Sequence, residues 1–175
     1  MRGKKPGHVE SVIEDMTQPP AVTVTTCRPE ETQDVGRCLA GGLECGDVLA
    51  LYGELGSGKT CFVQGLAAGL QVVGRVTSPT FIVMRRHPGP AGSPTLYHVD
   101  AYRLTSGNEL LDLGLEDWLG EGVVAIEWAE HVPDALPEDV LSVRLAIAGE
   151  RHTLTFAAHG LRSTELLEHL QRCGY

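Results

Sequence analysis

The sequence predicts an α/β fold of three layers, in which a mostly parallel central sheet is extended by antiparallel strands. Three observations predict it. A continuous apolar run at 48–52 ends at a glycine-rich turn, and a helical pattern follows from residue 59 to 70. Strand-like and helix-like segments then alternate along the chain, which is typical of layered α/β domains. Near the C-terminus, two alternating segments at 140–149 and 151–160 flank Gly149-Glu150 and indicate an antiparallel hairpin.

The remaining elements follow in chain order. Residues 1–20 are polar and aperiodic, so we expect a disordered tail before a single P-loop-type domain over 21–175. Strands are predicted at 21–27, 48–52, 95–100, 123–127, 140–149 and 151–160. Helices are predicted from Pro29, from Lys59 to Leu70, after the capping-box spacing of Ser106 and Glu109, and over 163–173. An apolar run at 76–86 precedes a Gly/Pro-rich segment, 87–94, expected to be an exposed hairpin loop.

The charge and the cysteines narrow the class of protein. A net charge of −9 argues against a broad nucleic-acid surface, because that affinity comes mainly from Lys and Arg. A local patch of Arg75, Arg85, Arg86 and His87 either contacts nucleic acid or is a solvated strand end. Five cysteines without a C-x-x-C pair argue against a disulfide framework or a zinc site and favour reduced thiols.

The chain also carries no membrane or export signal that we recognise. No apolar run approaches the length that crosses a bilayer, and the basic N-terminus lacks the apolar region of a secretory signal. We therefore expect a cytoplasmic protein without a membrane partner.

The stretch from Gly53 to Thr60 reads GELGSGKT and fits the pattern G-x-x-x-x-G-K-[ST] of a phosphate-binding P-loop. Glycines let the backbone wrap closely around a polyphosphate, and the following helix N-terminus adds unpaired N–H groups. Lys59 would bring a positive charge to the terminal phosphates, and the Thr60 hydroxyl would coordinate Mg²⁺. The predicted nucleotide-binding residues are Gly53, Glu54, Leu55, Gly56, Ser57, Gly58, Lys59, Thr60 and Cys61.

A magnesium–nucleotide site also needs a carboxylate, commonly at the end of a neighbouring strand. Asp100 ends the predicted strand 95–100, and Glu127 ends the predicted strand 123–127. Either residue could instead cap a turn or a helix. From these residues alone, both carboxylates remain candidates for the metal.

Further segments follow the P-loop in an order typical of one family. They are VTSPTF at 76–81, LYHVDAYRL at 96–104, ELLDLGLEDWL at 109–119 and IEW at 126–128. With EETQDVG at 30–36 and the P-loop itself, the chain resembles the bacterial TsaE (YjeE) family, the ATPase of the tRNA threonylcarbamoyladenosine pathway. The resemblance covers roughly residues 22–158. The loop 87–94, the N-terminal tail and the C-terminal helix support no transfer of residue roles.

The resemblance implies an ATP- and Mg²⁺-dependent enzyme that acts with the proteins TsaD and TsaB to install the threonylcarbamoyl group on adenosine 37 of tRNA. Hydrolysis, weak without the partners, would drive turnover of that assembly, and tRNA would be contacted only through the complex. Thr60 and Glu127 would bind Mg²⁺, and Asp100 would orient or deprotonate the attacking water. Thr80 would reach the γ-phosphate region, or would merely close a turn. The predicted catalytic residues are Asp100, Thr80 and Lys59.

Other nucleotide-binding classes fit the sequence less well. A small-molecule or nucleotide kinase is the main alternative, but no arginine-rich lid segment is visible and few arginines follow Arg103. A GTP-binding switch is excluded, because its N-K-x-D motif requires a lysine and none follows Lys59. A dinucleotide fingerprint is excluded because Cys61 stands where its third glycine is needed.

Two residues within the family motifs keep open interpretations, and a third has one. Arg103 either pairs with an acidic neighbour or faces a partner protein. Trp128 either packs in the core or borders the nucleotide pocket. His98 is predicted to pack within its strand without a chemical role.

Overall fold

The computed structural model describes residues 19–79 and 82–175, and it contains one seven-stranded sheet in the order β1-β7-β6-β2-β5-β4-β3. The strands are β1 (Ala21–Thr26), β2 (Val48–Tyr52), β3 (Met84–His87), β4 (Thr95–Asp100), β5 (Gly122–Glu127), β6 (Leu141–Ala148) and β7 (Arg151–Ala158). Strands β6, β2, β5 and β4 run parallel to one another, whereas β7 pairs antiparallel with β6 and β1, and β3 pairs antiparallel with β4. The predicted mixed sheet is confirmed.

Five α-helices cover this sheet within the described residues. They are α1 (Pro29–Ala40), α2 (Lys59–Gly69), α3 (Gly107–Asp112), α4 (Leu115–Glu121) and α5 (Leu161–Arg172). Single 3-10 turns occur at Ala101–Arg103, Ala129–His131 and Pro133–Ala135. None of the helices in the ranges 19–79 and 82–175 is long and apolar enough to cross a membrane.

The two faces of the sheet form two apolar cores, which makes the molecule three-layered. On β2, Leu49 and Leu51 pack with residues of α1, α2 and α5, whereas Val48 and Ala50 pack with residues of α3 and α4. Successive side chains of a strand point to opposite faces, so a strand covered on both faces must be apolar throughout. This explains the continuous apolar run VLAL.

Helices α1 and α2 pack against each other at very close range. A Cβ atom added at Gly65 would lie 2.1 Å from the carbonyl oxygen of Gln33, and one at Gly36 would lie 2.5 Å from that of Phe62. Only glycine leaves room for backbone at these distances. The helix that follows the P-loop is therefore held directly against α1.

Three local predictions are wrong in detail. The single helical segment expected over 110–119, after the spacing of Ser106 and Glu109, is divided between two short helices, because Gly114 adopts φ +103° between α3 and α4. The Ser106 side chain does not cap α3; instead Glu109 accepts hydrogen bonds from the backbone N–H and the hydroxyl of Thr105. His87 belongs to β3 and is buried, so the exposed loop begins only after it.

The cysteines also differ from the expectation of reduced thiols. Cys38 near the end of α1 and Cys173 after α5 form a disulfide, while Cys27, Cys45 and Cys61 are free. The spacing of 135 residues gave no sequence signal for this pair. The bond joins the C-terminal helix to the helix that supports α2.

Candidate functional site

The P-loop connects β2 to α2 and adopts a backbone that requires glycine. Gly53, Gly56 and Gly58 have φ values of +143°, +80° and +104°. At Gly53 a Cβ atom would also lie 2.3 Å from the carbonyl oxygen of Leu145. Helix α2 starts at Lys59, so its first N–H groups have no partner within the helix. These features make an anion-binding geometry at the carboxyl end of β2.

Lys59 lies inside this loop and is 4% exposed. Its Nζ donates hydrogen bonds to the carbonyl oxygens of Gly53 at 2.5 Å and Glu54 at 3.0 Å. Burial lowers the pKa of Lys59, while the carboxylates of Glu127, Glu130 and Asp100 act in the opposite direction. The ammonium group is thus held at the loop by local acceptors.

Thr60 and Glu127 meet at the first turn of α2. The Thr60 hydroxyl donates to Glu127, with distances of 2.8 Å to Oε1 and 3.1 Å to Oε2. Strand β5 pairs directly with β2, and Leu51 is the register partner of Glu127. A hydroxyl and a carboxylate at hydrogen-bond distance are hard oxygen donors of the kind that Mg²⁺ prefers, so the residues present fit this cation.

Asp100 lies next to Glu127, because β4 and β5 are parallel and the two residues are register partners. Its Oδ2 accepts a hydrogen bond from the Ser78 hydroxyl at 2.9 Å, and its Oδ1 accepts one from the Tyr102 amide at 3.1 Å. Asp100 is 4% exposed, so its carboxylate is oriented before any ligand arrives.

Trp128 and Tyr102 form an aromatic wall beside the loop. Trp128 has φ +59°, and its ring centroid lies 3.8 Å from Lys59 Nζ and 5.0 Å from the centroid of Tyr102. A cavity of about 500 Å³ opens between the wall and the loop. Besides loop residues, it is lined by Ser78, Asp100, Tyr102, Glu127 and Trp128. Trp128 therefore borders the pocket and also packs against the apolar core that contains Val48 and Ala50.

The structure brings together most of the predicted site residues. Leu55, Gly56, Gly58, Lys59, Thr60, Cys61, Asp100 and Glu127 all line the one cavity. Gly53, Glu54 and Ser57 line a separate surface recess behind the loop. Thr80 lies outside the described residues, so its role stays a prediction.

Three of the four residues of the predicted basic patch have local contacts or are buried, whereas Arg75 is exposed. Arg85 donates to the Thr77 hydroxyl, Arg86 lies near Tyr97 and Glu121, and His87 is buried. Arg103 is exposed at the end of the 3-10 turn after β4, where its two interpretations both remain.

Two histidines next to the site were missed from the sequence. His98 Nε2 lies 2.7 Å from Glu127 Oε1, although no chemistry was predicted for it. His152 on β7 donates from Nδ1 to the Ser57 carbonyl oxygen at 2.9 Å and so supports the P-loop from behind. The H-x-D pattern of β4 could have indicated the first, since alternate residues share a face. We found no sequence signal for the second.

The parallel sheet, the glycine loop after β2 and the flanking carboxylates define a P-loop NTPase-like protein. The sequence matches the family described as "Threonylcarbamoyl adenosine biosynthesis protein TsaE" over residues 26–154. The chain belongs to the TsaE family.

Individual relatives agree with this assignment. A Streptomyces coelicolor protein named tRNA threonylcarbamoyladenosine biosynthesis protein TsaE is 47% identical over 114 residues, which span 65% of this chain and 77% of the relative. A Bacillus subtilis protein of the same name is 40% identical over 149 residues, or 84% of this chain and 92% of that one. The crystal structure of Bacillus subtilis YdiB matches with a TM-score of 0.77 and 34% identity, covering 90% of this chain and 98% of YdiB.

Proposed function

We propose that this chain is the ATP-binding and ATP-hydrolysing component of the machinery that makes N6-threonylcarbamoyladenosine at position 37 of tRNA. It acts with TsaD and TsaB, drives turnover of their complex and meets tRNA only through it. Two facts support the proposal: the chain belongs to the TsaE family, and its P-loop lies beside two carboxylates at the ends of adjacent strands.

The P-loop binds the phosphates of ATP in this proposal. Backbone N–H groups at the start of α2 and the Lys59 ammonium group supply the positive potential. Lys59 Nζ already donates to two loop carbonyls and lies against the Trp128 ring, so a phosphate oxygen has to compete with these contacts. That competition supports weak activity in the absence of partner proteins.

Thr60 and Glu127 would hold Mg²⁺ in this proposal, Thr60 through a lone pair of its hydroxyl oxygen and Glu127 through its carboxylate. Bound Mg²⁺ supplies charge compensation for the phosphates. The hydrogen bond between Thr60 and Glu127 is the observation that carries the assignment, because it places both oxygen donors at one point beside Lys59.

Asp100 orients the attacking water and accepts its proton. The Ser78 hydroxyl and the Tyr102 amide fix the Asp100 carboxylate, which suits a group that must hold a water in one position. Thr80 is close in sequence to Ser78, and we propose that it reaches the γ-phosphate region.

Release of phosphate from ATP and Mg²⁺, with and without TsaD and TsaB, tests this function. We expect slow hydrolysis by the chain alone and faster hydrolysis with the partners. Glu127→Ala should lower partner-stimulated turnover by about 100-fold or more, because the charge compensation is lost, and should weaken nucleotide binding less. Glu168→Ala, which removes an exposed carboxylate from α5, is the matched control and should retain the wild-type rate.

Two results would contradict the proposal. Normal hydrolysis by Glu127→Ala would remove this residue from the metal site. Transfer of the phosphoryl group to a small acceptor, rather than to water, would identify a kinase instead.

A further inference from the structure

His98 makes a buried contact with Glu127 and has no role in the mechanism proposed above. The two residues lie on the adjacent parallel strands β4 and β5, with Nε2 of His98 2.7 Å from Oε1 of Glu127. His98 is 0% exposed and Glu127 is 3% exposed. The hydrogen bond is therefore shielded from water, which strengthens it relative to a surface contact.

The direction of this hydrogen bond follows from its partners. A carboxylate only accepts hydrogen bonds, so Nε2 of His98 carries a proton and donates the hydrogen bond to Glu127. Nδ1, on the other side of the ring, has no hydrogen-bond partner among residues 19–79 and 82–175. Among the described residues, the Glu127 carboxylate is thus the only hydrogen-bond partner of the ring, and it selects the ring's Nε2–H tautomer.

Glu127 has a second donor, but that donor has another task in the proposed mechanism. The Thr60 hydroxyl spans both carboxylate oxygens, and it would also have to present an oxygen lone pair to the cation when it becomes a metal ligand. The terminal torsion of a glutamate side chain is soft, so a carboxylate without a fixed partner samples many orientations. His98 is a donor without such a second task, so it can remain on Oε1 in the presence of the cation.

We propose that His98 is a positioning residue, which holds the Glu127 carboxylate in the orientation that ligates the magnesium ion of the bound nucleotide. The inference rests on the proposed function, since it assumes that Glu127 is that ligand. His98 itself touches neither nucleotide nor metal. Partners that orient a metal ligand in this way commonly change metal affinity by about 10- to 100-fold when they are removed.

Two substitutions separate this role from simple core packing. In His98→Gln the side-chain amide reaches the place of Nε2 and can still donate to Glu127. In His98→Asn the amide reaches only the place of Nδ1, on the side away from Glu127. Both variants remove the ring and introduce a primary amide, so they differ mainly in where the donor lies.

The measurement is the binding of a fluorescent ATP analogue at stepwise Mg²⁺ concentrations, without turnover. We expect His98→Asn to need about 10- to 100-fold more Mg²⁺ for half of the metal-dependent gain in affinity, and His98→Gln to stay within about 3-fold of wild type. Binding in excess EDTA should be the same for all three proteins. Wild-type Mg²⁺ dependence in His98→Asn, or an equal loss in both variants that persists in EDTA, would overturn the proposal.

A measurement on the wild-type protein keeps the proposal testable if the variants do not fold. Nitrogen-15 NMR of the imidazole rings reports which nitrogen carries the proton. We expect His98 to be protonated at Nε2, and an Nε2 without a proton would overturn the inference. If the wild-type protein bound no nucleotide at all while His98 showed the Nε2–H tautomer, the proposed function would fail and not the contact between His98 and Glu127.

Discussion

Buried polar side chains dominate the site at the residue scale. Lys59, Asp100 and Glu127 are 4%, 4% and 3% exposed, although each is a group that water normally solvates. Burial of such groups costs several kcal/mol unless hydrogen bonds and opposite charges compensate. Each of the three has such partners here. We infer that these buried polar groups serve ligand binding rather than stability.

His87 should make the stability of the protein depend on pH. Burial lowers the pKa of His87 below its ordinary value, and His98 and Arg85 lower it further. The unfolded chain therefore binds a proton at His87 more readily than the folded chain does. Above about pH 6.5, His87 should not reduce the free energy of unfolding. As the pH drops from there toward the folded pKa of His87, the free energy of unfolding should fall by at most about 1.4 kcal/mol per pH unit.

The measurement is urea unfolding at pH 7.5, 6.5 and 5.5 for the wild type and His87→Phe. The phenyl ring fills a similar volume and cannot titrate, so the variant should lose less stability on acidification than the wild type. Parallel stability curves for the two proteins would show that His87 does not contribute.

The site residues that could be predicted from the sequence are those that belong to a local sequence pattern. Lys59 and Thr60 belong to a contiguous motif, and Asp100 and Glu127 end strands in the expected places. His98 and His152 act on residues 29 and 95 positions away. The H-x-D pattern could have placed His98 on the face of Asp100, but the partners of both histidines depend on strand order and register, which came only from the structure.

At the scale of elements, the packing of α1 on α2 fixes the start of the P-loop helix. The close contacts of Gly36 and Gly65 bring the two backbones together, and the disulfide from Cys38 joins α1 to α5. The helical spacing of apolar residues predicted α2 over 59–70, and the helix spans Lys59–Gly69. The division between α3 and α4 at Gly114 was not predicted.

Gly65→Ala should destabilise the protein. The added methyl group would meet the backbone of Gln33, which cannot move aside as a flexible side chain would, so we expect a loss of about 1–3 kcal/mol. Gly120→Ala is the matched control. Gly120 is an exposed residue of α4 with no atom within 4 Å of the added Cβ, and alanine there should stabilise by about 0.5–1 kcal/mol. Chemical unfolding measures both, and equal effects at the two positions would refute the close packing of α1 on α2.

At the scale of the whole molecule, four parallel strands place the functional groups at the carboxyl ends of the central strands. The P-loop follows β2, while Asp100 and Glu127 end the neighbouring strands β4 and β5. Open parallel sheets commonly bind ligands outside the carboxyl ends of their strands. The alternating pattern of elements predicted this architecture, whereas the strand order came only from the structure.

The central claim is that the loop from Gly53 to Thr60 binds the phosphates of ATP. Calorimetric titration of Mg²⁺-ATP into the wild type, Lys59→Ala and Arg172→Ala tests it most directly. Arg172→Ala removes an exposed positive charge at the end of α5 and serves as the control. We predict that the wild type and Arg172→Ala bind ATP equally and that Lys59→Ala binds about 10- to 100-fold more weakly, since a charge-assisted contact to phosphate is lost. Equal affinity of Lys59→Ala and the wild type would contradict the account.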